Sequence, residues 1–383
     1  MLALRLGRGA RPLVLVRRLL VVAASAGVGF LLLCTLGWAM GHPAGSAARL
    51  LWCLIPLAAT VQFAVAVART EPGTRPRTGL SAVGLGPARL TTLAATSTAV
   101  SCAFGSALAL LLFLHLRSDP TGSPLGGQGA ELLARGQSLP LAAMLTLLAL
   151  VPTFATAATG MAMRHHTRRA ARPAENVPPP VHTPSGLPWG VALTAAGLAV
   201  ETYASRSGGG SAPPLPGQFD GSSAGVLAGW SLTAIGLALA GPGITHLCGR
   251  LVQILRPGAI RLLAGRTLMT EARNIGRPLG VLCAVISGVF AATSLSGPGA
   301  VRPFGPLTGL GAALVIGCTA ATLLTATAES RQARAATTTT LHHLGAPATL
   351  LRTAAAVRAT AILTIFAPLT WMVAALAAIP LTA

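Results

Sequence analysis

The feature that most constrains this chain is a series of nine apolar runs whose connecting segments are alternately rich and poor in arginine. The runs cover approximately 19–40, 50–68, 94–115, 139–163, 187–203, 224–248, 279–296, 305–327 and 357–380. A bilayer core of ~30 Å is crossed by ~20 helical residues, so each run is a candidate span. Lipid offers the backbone no hydrogen-bond partner, which makes every span an α-helix. Hydrophobic residues are 52% of the chain and charged residues 9%, a balance unlike that of a soluble domain.

The chain has no lysine, and with the N-terminus inside, most of its arginines fall on inner segments. Only Arg49, Arg117, Arg135, Arg206 and Arg302 lie outside, which fits the positive-inside bias. The same count settles the weakest run, 187–203, which carries Pro188 and ends at Glu201. Segments 164–186 and 249–278 are both basic, so an even number of crossings separates them, and 187–203 must cross along with 224–248. The sequence pI near 11.9 is then a topology signal beside anionic membrane lipids, and no nucleic-acid role is expected. The first run, ~20 residues long, exceeds the apolar core of a cleaved signal peptide.

Several chemistries are excluded. Without lysine there is neither a Walker A loop nor a Schiff-base nucleophile. No paired carboxylates occur at catalytic spacing. His165-His166 and His342-His343 lie among arginines with no carboxylate or thiol nearby in sequence, so a solvated basic face is expected there and no metal. The six cysteines fall in or beside spans and read as small packing residues. The spans hold few ionisable groups. Arg358, His115, Glu201 and His246 sit near span ends, where side chains can snorkel. This counts against an ion-coupled transporter, which keeps acids near the bilayer midplane. Pro56, Pro152, Pro242 and Pro368 predict ordinary kinks. The pairs Gly225/Gly229, Gly276/Gly280 and Gly305/Gly309 could mark close helix contacts, but in a chain with 44 glycines they arise by chance.

The chain also repeats itself. A basic amphipathic stretch precedes a span at 2–18 and again at 260–277. Each is followed by a short outer loop, a second span, and an inner segment with one glutamate, several arginines and a Leu-Gly. The first inner segment runs from Glu71 through Arg75 and Arg77 to Leu85-Gly86. The second runs from Glu329 through Arg331 and Arg334 to Leu344-Gly345. Both copies share one orientation, as in parallel transporter repeats. Each inner segment predicts a short interfacial helix ended by the Leu-Gly turn, a lever between two spans.

At these residues the chain resembles the FtsX-like permease family of ABC transporters, of MacB or bacitracin-export type. The better match is Glu329-Ser330-Arg331-Gln332-Ala333-Arg334 through Leu344-Gly345-Ala346, and the copy from Glu71 to Gly86 is looser. The resemblance covers roughly 1–115 and 258–380, and the stretches before spans one and seven look like the family's elbow helices. It implies an all-α integral membrane protein with about nine spans in two parallel pseudo-repeats, amphipathic elbow helices and short cytoplasmic coupling helices. The expected organisation is a first repeat at 1–115, a connecting region of three spans at 116–257 with a basic cytoplasmic linker at 164–186, and a second repeat at 258–383. It further implies a permease subunit that is not itself an enzyme and has no cofactor, ATP being bound by a separate cytoplasmic ABC ATPase. That partner would contact Glu329, Arg331, Arg334, Leu344 and Gly345, and more weakly Glu71, Arg75, Arg77, Leu85 and Gly86. The implied cargo is an antimicrobial peptide or a lipid-linked molecule extruded from the cell membrane. Membrane lipids and a second permease, identical or different, complete the expected partners.

The sequence departs from the family in lacking a large outer domain at 297–304 and a tenth span, which would leave the C-terminus outside. A membrane scaffold passing ATPase action to an outer partner is the alternative reading, and a secondary transporter ranks below it.

Overall fold

A computed structural model of the chain describes residues 12–41, 50, 52–70, 87–118, 140–170, 186–206, 224–254, 258–294, 306–335, 339–340, 343 and 347–382. Among them are nine helices of 17 residues or more. They are α1 Pro12–Gly41, α2 Leu54–Thr70, α3 Pro87–Ser118, α4 Leu141–Ala170, α5 Gly186–Arg206, α6 Ala224–Ile254, α7 Ala259–Ser294, α8 Pro306–Ala333 and α9 Ala348–Thr382. Each contains one of the apolar runs, or most of it. Stretches in α1, α3, α4, α6, α8 and α9 are long and apolar enough to cross a membrane by length and composition.

The helices outrun the apolar stretches, and here the structure departs from expectation. The arginine-rich stretch at 260–277 is not a separate elbow. It is the first half of the unbroken 36-residue α7. α1 likewise begins at Pro12, so its basic turn with Arg17 and Arg18 continues straight into the apolar run. Residues 2–11 of the first stretch lie outside the described residues. Pro278, inside α7, is carried without ending it. α8 runs on to Ala333, so Glu329 and Arg331 stand on a helix and not in a loop. The local sequence AESRQA consists of good helix formers apart from its serine. α9 starts at Ala348, ahead of the expected 357, and of the expected lever between the two helices only residues 334–335, 339–340, 343 and 347 are among the described residues.

The helices form two compact units. The first comprises residues 1–175 and 304–318, the second 176–303 and 319–383, so α8 contributes its first half to one unit and its second half to the other. The helices of the expected connecting region are shared out, α4 to the first unit and α5 and α6 to the second.

In the first unit α1 and α3 pack in parallel. Gly105 lies against Ser25 and Val22, and a Cβ at Gly29 would meet Ala109 Cβ at 2.9 Å. Further along, the rings of Phe30 and Phe113 meet edge to face at 6.3 Å. α4 joins through Leu148, whose carbonyl accepts the Ser106 hydroxyl at 3.2 Å. The core of Leu33, Cys34, Ala109, Phe113, Met144 and Leu148 forms where these three helices meet. In the second unit α7 and α9 are also parallel neighbours. The Cys283 thiol is 3.0 Å from the Thr370 hydroxyl, and the Ser287 hydroxyl donates to the Thr370 carbonyl at 3.0 Å.

α5, α6 and α7 are held by small residues. Along α5 and α6 the close pairs are Gly190 with Ala240, Gly236 with Thr194, Gly197 with Thr233, and Gly229 with Glu201. One number rises as the other falls by the same three or four, so the helices are antiparallel with a seam at heptad spacing. The opposite seam pairs α6 with α7 through Gly241 with Gly276, Leu237 with Gly280, and Gly249 with Gly265. A Cβ at Gly276 would come within 2.5 Å of Pro242 Cα. The pair Gly276/Gly280 is therefore a true contact, while a side chain at Gly309 would meet nothing within 4 Å. Gly225 has no described side, and Gly305 lies outside the described residues. α6 continues through Pro242, which lies in the seam against Gly276.

Candidate functional site

The expected coupling residues fall into two groups. Glu71, Arg75, Arg77, Leu85, Gly86, Leu344 and Gly345 lie outside the described residues. Glu329, Arg331 and Arg334 lie at the C-terminal end of α8, within the second unit. The end of a helix leaves four carbonyls without intrahelical donors. Arg334, just past α8, supplies some of what is missing. Its backbone N–H and its Nε both donate to the Ser330 carbonyl at 3.2 Å, and its Nη2 donates to the Ser330 hydroxyl at 3.3 Å. A guanidinium at this end also suits the negative pole of the helix.

The same guanidinium reaches α7. Arg334 Nη2 forms an ion pair with Glu271 Oε1. Across the carboxylate, Arg358 Nη1 on α9 stands 3.9 Å from Glu271 Oε2. One carboxylate thus ties together the first half of α7, the end of α8 and the start of α9. The Glu271 side chain is 13% exposed, against 27% for Arg334 and 21% for Arg358. Burial raises the Glu271 carboxyl above its ordinary range, and Arg334, Arg358 and the Ser330 hydroxyl pull it only part of the way back. The cluster is short of negative charge. Two guanidiniums face one carboxylate, and the buried Nε of Arg358 has no partner. Arg331 is exposed one turn before Arg334, and Glu329 is half-buried.

The sequence singles out Arg334 as a partner contact and not as the residue that closes α8 and pairs with Glu271, and it passes over Glu271. Sequence counting treats Glu271 as one inner acid among several. The signal was nevertheless present. Ala264, Leu268, Glu271 and Ile275 follow one another at steps of four, three and four, so the acid interrupts an apolar stripe. Ala264, Leu268 and Ile275 are buried.

A second acid overturns an expectation. Glu201 does not snorkel from the end of its span, because its side chain is folded into the α5–α6 seam at 0% exposure. Its Oε1 accepts the indole N–H of Trp230 at 2.5 Å, while Oε2 has no partner. One turn away in the seam, the buried hydroxyl of Thr233 is also unpartnered. His246, expected to snorkel as well, is 4% exposed, and its Nε2 has no partner.

All six cysteines are buried and free, as packing residues should be. Among the described residues no group of three histidine, cysteine, aspartate or glutamate side chains could hold a metal ion. His343 is exposed, while His342 lies outside the described residues and the side chains of His165 and His166 are not described. No family model, curated protein or solved structure matches the chain.

Proposed function

We propose that this chain is the membrane-spanning permease subunit of an ABC transporter, exporting or extruding a lipophilic or peptide-like substrate. A separate cytoplasmic ATPase supplies the energy, and all nine long helices cross the cell membrane with the N-terminus inside and the C-terminus outside. The observation that carries this reading is the Glu271 clasp. Arg334 ends α8, and Glu271 joins it to both α7 and α9. A partner that displaces the segment after α8 therefore pulls on two further helices. Two parallel pairs, α1 with α3 and α7 with α9, also support a duplicated unit. Arg331 is the exposed contact for the ATPase, whereas Arg334 faces inward and transmits.

The test is co-purification with the ABC ATPase encoded beside the gene, followed by ATPase assays in nanodiscs. Arg331→Glu should abolish most of the stimulation, and Gly345→Val should uncouple it, with membrane insertion intact in both. Absence of any bound ATPase, or unchanged stimulation in both variants, would refute the reading.

Glu201 favours a second reading as a secondary transporter, since a carboxyl buried inside a span is a typical ion-coupling group. Uptake or efflux driven by a pH gradient in vesicles without an ATPase, and lost in Glu201→Gln, would establish it.

A further inference from the structure

α7 carries a second stripe besides the one packed on α6. At ~100° per residue, Arg266, Thr270, Arg273, Asn274 and Arg277 fall within one arc of about 100°. All five are exposed. Beyond Arg277 the same arc turns apolar through Val281, Ala284 and Gly288. Ala284 packs against the core at Cys283 and Phe366, whereas Val281 is half-buried and a side chain at Gly288 would meet nothing within 4 Å, so the surface is open at Gly288. A change from guanidinium to hydrocarbon within one turn is the profile of a headgroup boundary.

The height of this boundary follows from the neighbouring helix. Glu271 stands beside Arg358, and Cys283 beside Thr370. That parallel register places Arg277 level with Thr364, inside the Thr349–Ala378 stretch of α9 that is long and apolar enough to cross a membrane. Arg273 and Arg277 thus face outward where α9 has already entered its apolar stretch. Neither pairs with an acid among the described residues. Two guanidiniums at that depth need an anion that reaches them from the bilayer. A lipid phosphate does so, and its oxygens match the guanidinium fork. A soluble acidic protein would have to displace the headgroups first.

We infer that Arg273 and Arg277, with Asn274 beside them, bind the phosphate of an anionic phospholipid whose acyl chain lies along Val281 and Gly288. A zwitterionic lipid brings its own cation and leaves the two arginines uncompensated, so the site selects for net negative headgroups. The inference rests on the membrane setting and is independent of any ATPase.

The full chain is extracted from phosphatidylcholine nanodiscs containing about one fifth phosphatidylglycerol, and retained lipids are counted by native mass spectrometry. The wild type should retain phosphatidylglycerol about tenfold over its share. The double variant R273Q/R277Q should lose this preference with unchanged helical content, because neither side chain is part of the packing. R352Q, which removes an exposed arginine of α9, should keep it. Equal retention of the two lipids by the wild type, or an unchanged preference in R273Q/R277Q, overturns the inference. Displacement of the lipid by glycerol phosphate also overturns it, since the site would then hold a free phosphate. If R277Q alone halves the preference or more, the assignment of the boundary residue stands. An R277Q protein equal to wild type moves the site off the boundary and sinks it.

Discussion

Arg334 caps the last turn of α8 and, with the same guanidinium, pairs with Glu271 on α7. The end of one helix is therefore fixed to the flank of another by a single side chain.

Removing the cation should hurt more than removing the acid. Arg334→Ala strips Glu271 of its direct partner and leaves a mostly buried carboxylate, which should cost about 1–3 kcal/mol. Glu271→Gln leaves two arginines that retain some exposure to solvent, and should cost less than about 1 kcal/mol. Thermal unfolding in detergent would compare the two. Equal losses would mean that the clasp is held by packing and not by charge.

The same carboxyl predicts a pH dependence. Its folded-state affinity for a proton is raised by burial. A raised carboxyl contributes stability fully below its unfolded value of about 4.3, and that contribution is lost as pH rises through the higher folded value. The melting temperature of wild type minus that of Glu271→Gln should therefore decline from about pH 4 to neutrality. A difference that climbs with pH would show that pairing with Arg334 and Arg358 outweighs burial.

Glycines should divide by what their Cβ would meet. At Gly197 a Cβ would lie 2.6 Å from the Thr233 backbone nitrogen, and at Gly190 it would lie 2.7 Å from Ala240 Cα. Gly197→Val or Gly190→Val must push α5 off α6 and should cost about 3 kcal/mol or prevent accumulation of folded protein. Gly317→Ala meets nothing within 4 Å and should be neutral, or gain up to about 1 kcal/mol from helix propensity. Urea or heat titration of purified variants would rank them, and a harmless Gly197→Val would mean the seam is looser than described.

Trp230 and Glu201 should behave as one unit. Trp230→Phe removes the donor to Oε1 and leaves the buried carboxyl with no described partner, a loss of about 1–3 kcal/mol. Trp230→Phe in a Glu201→Leu background should cost much less, because no orphaned acceptor remains. A double-mutant cycle measures the coupling. Strict additivity would show that the indole serves only as packing.

Much of the fold is legible in the amino-acid order. Apolar run length alone locates the helices. The run at 187–203 is weak by itself, arginine parity predicts a helix there, and α5 occupies it. Arg334 stands out in the sequence only through its place in a basic segment, and its role in closing α8 is visible only in the structure. Glu201 was misjudged, since whether an acid near a span end snorkels or folds inward depends on the neighbouring helix, and only the approach of Gly229 opens room for it.

The sequence by itself determined the solvent, the helical class and the extent of the apolar stretches, because the bilayer imposes a fixed thickness and forbids unpaired backbone. Only the tertiary structure decided which acid meets which arginine. Glu271 and Arg358 lie on two helices and Arg334 just past the end of a third, and their meeting depends on the small-residue seam between α6 and α7 and on the parallel register of α7 with α9. Local propensity carries no information about that register. It emerges only when the interfaces close together.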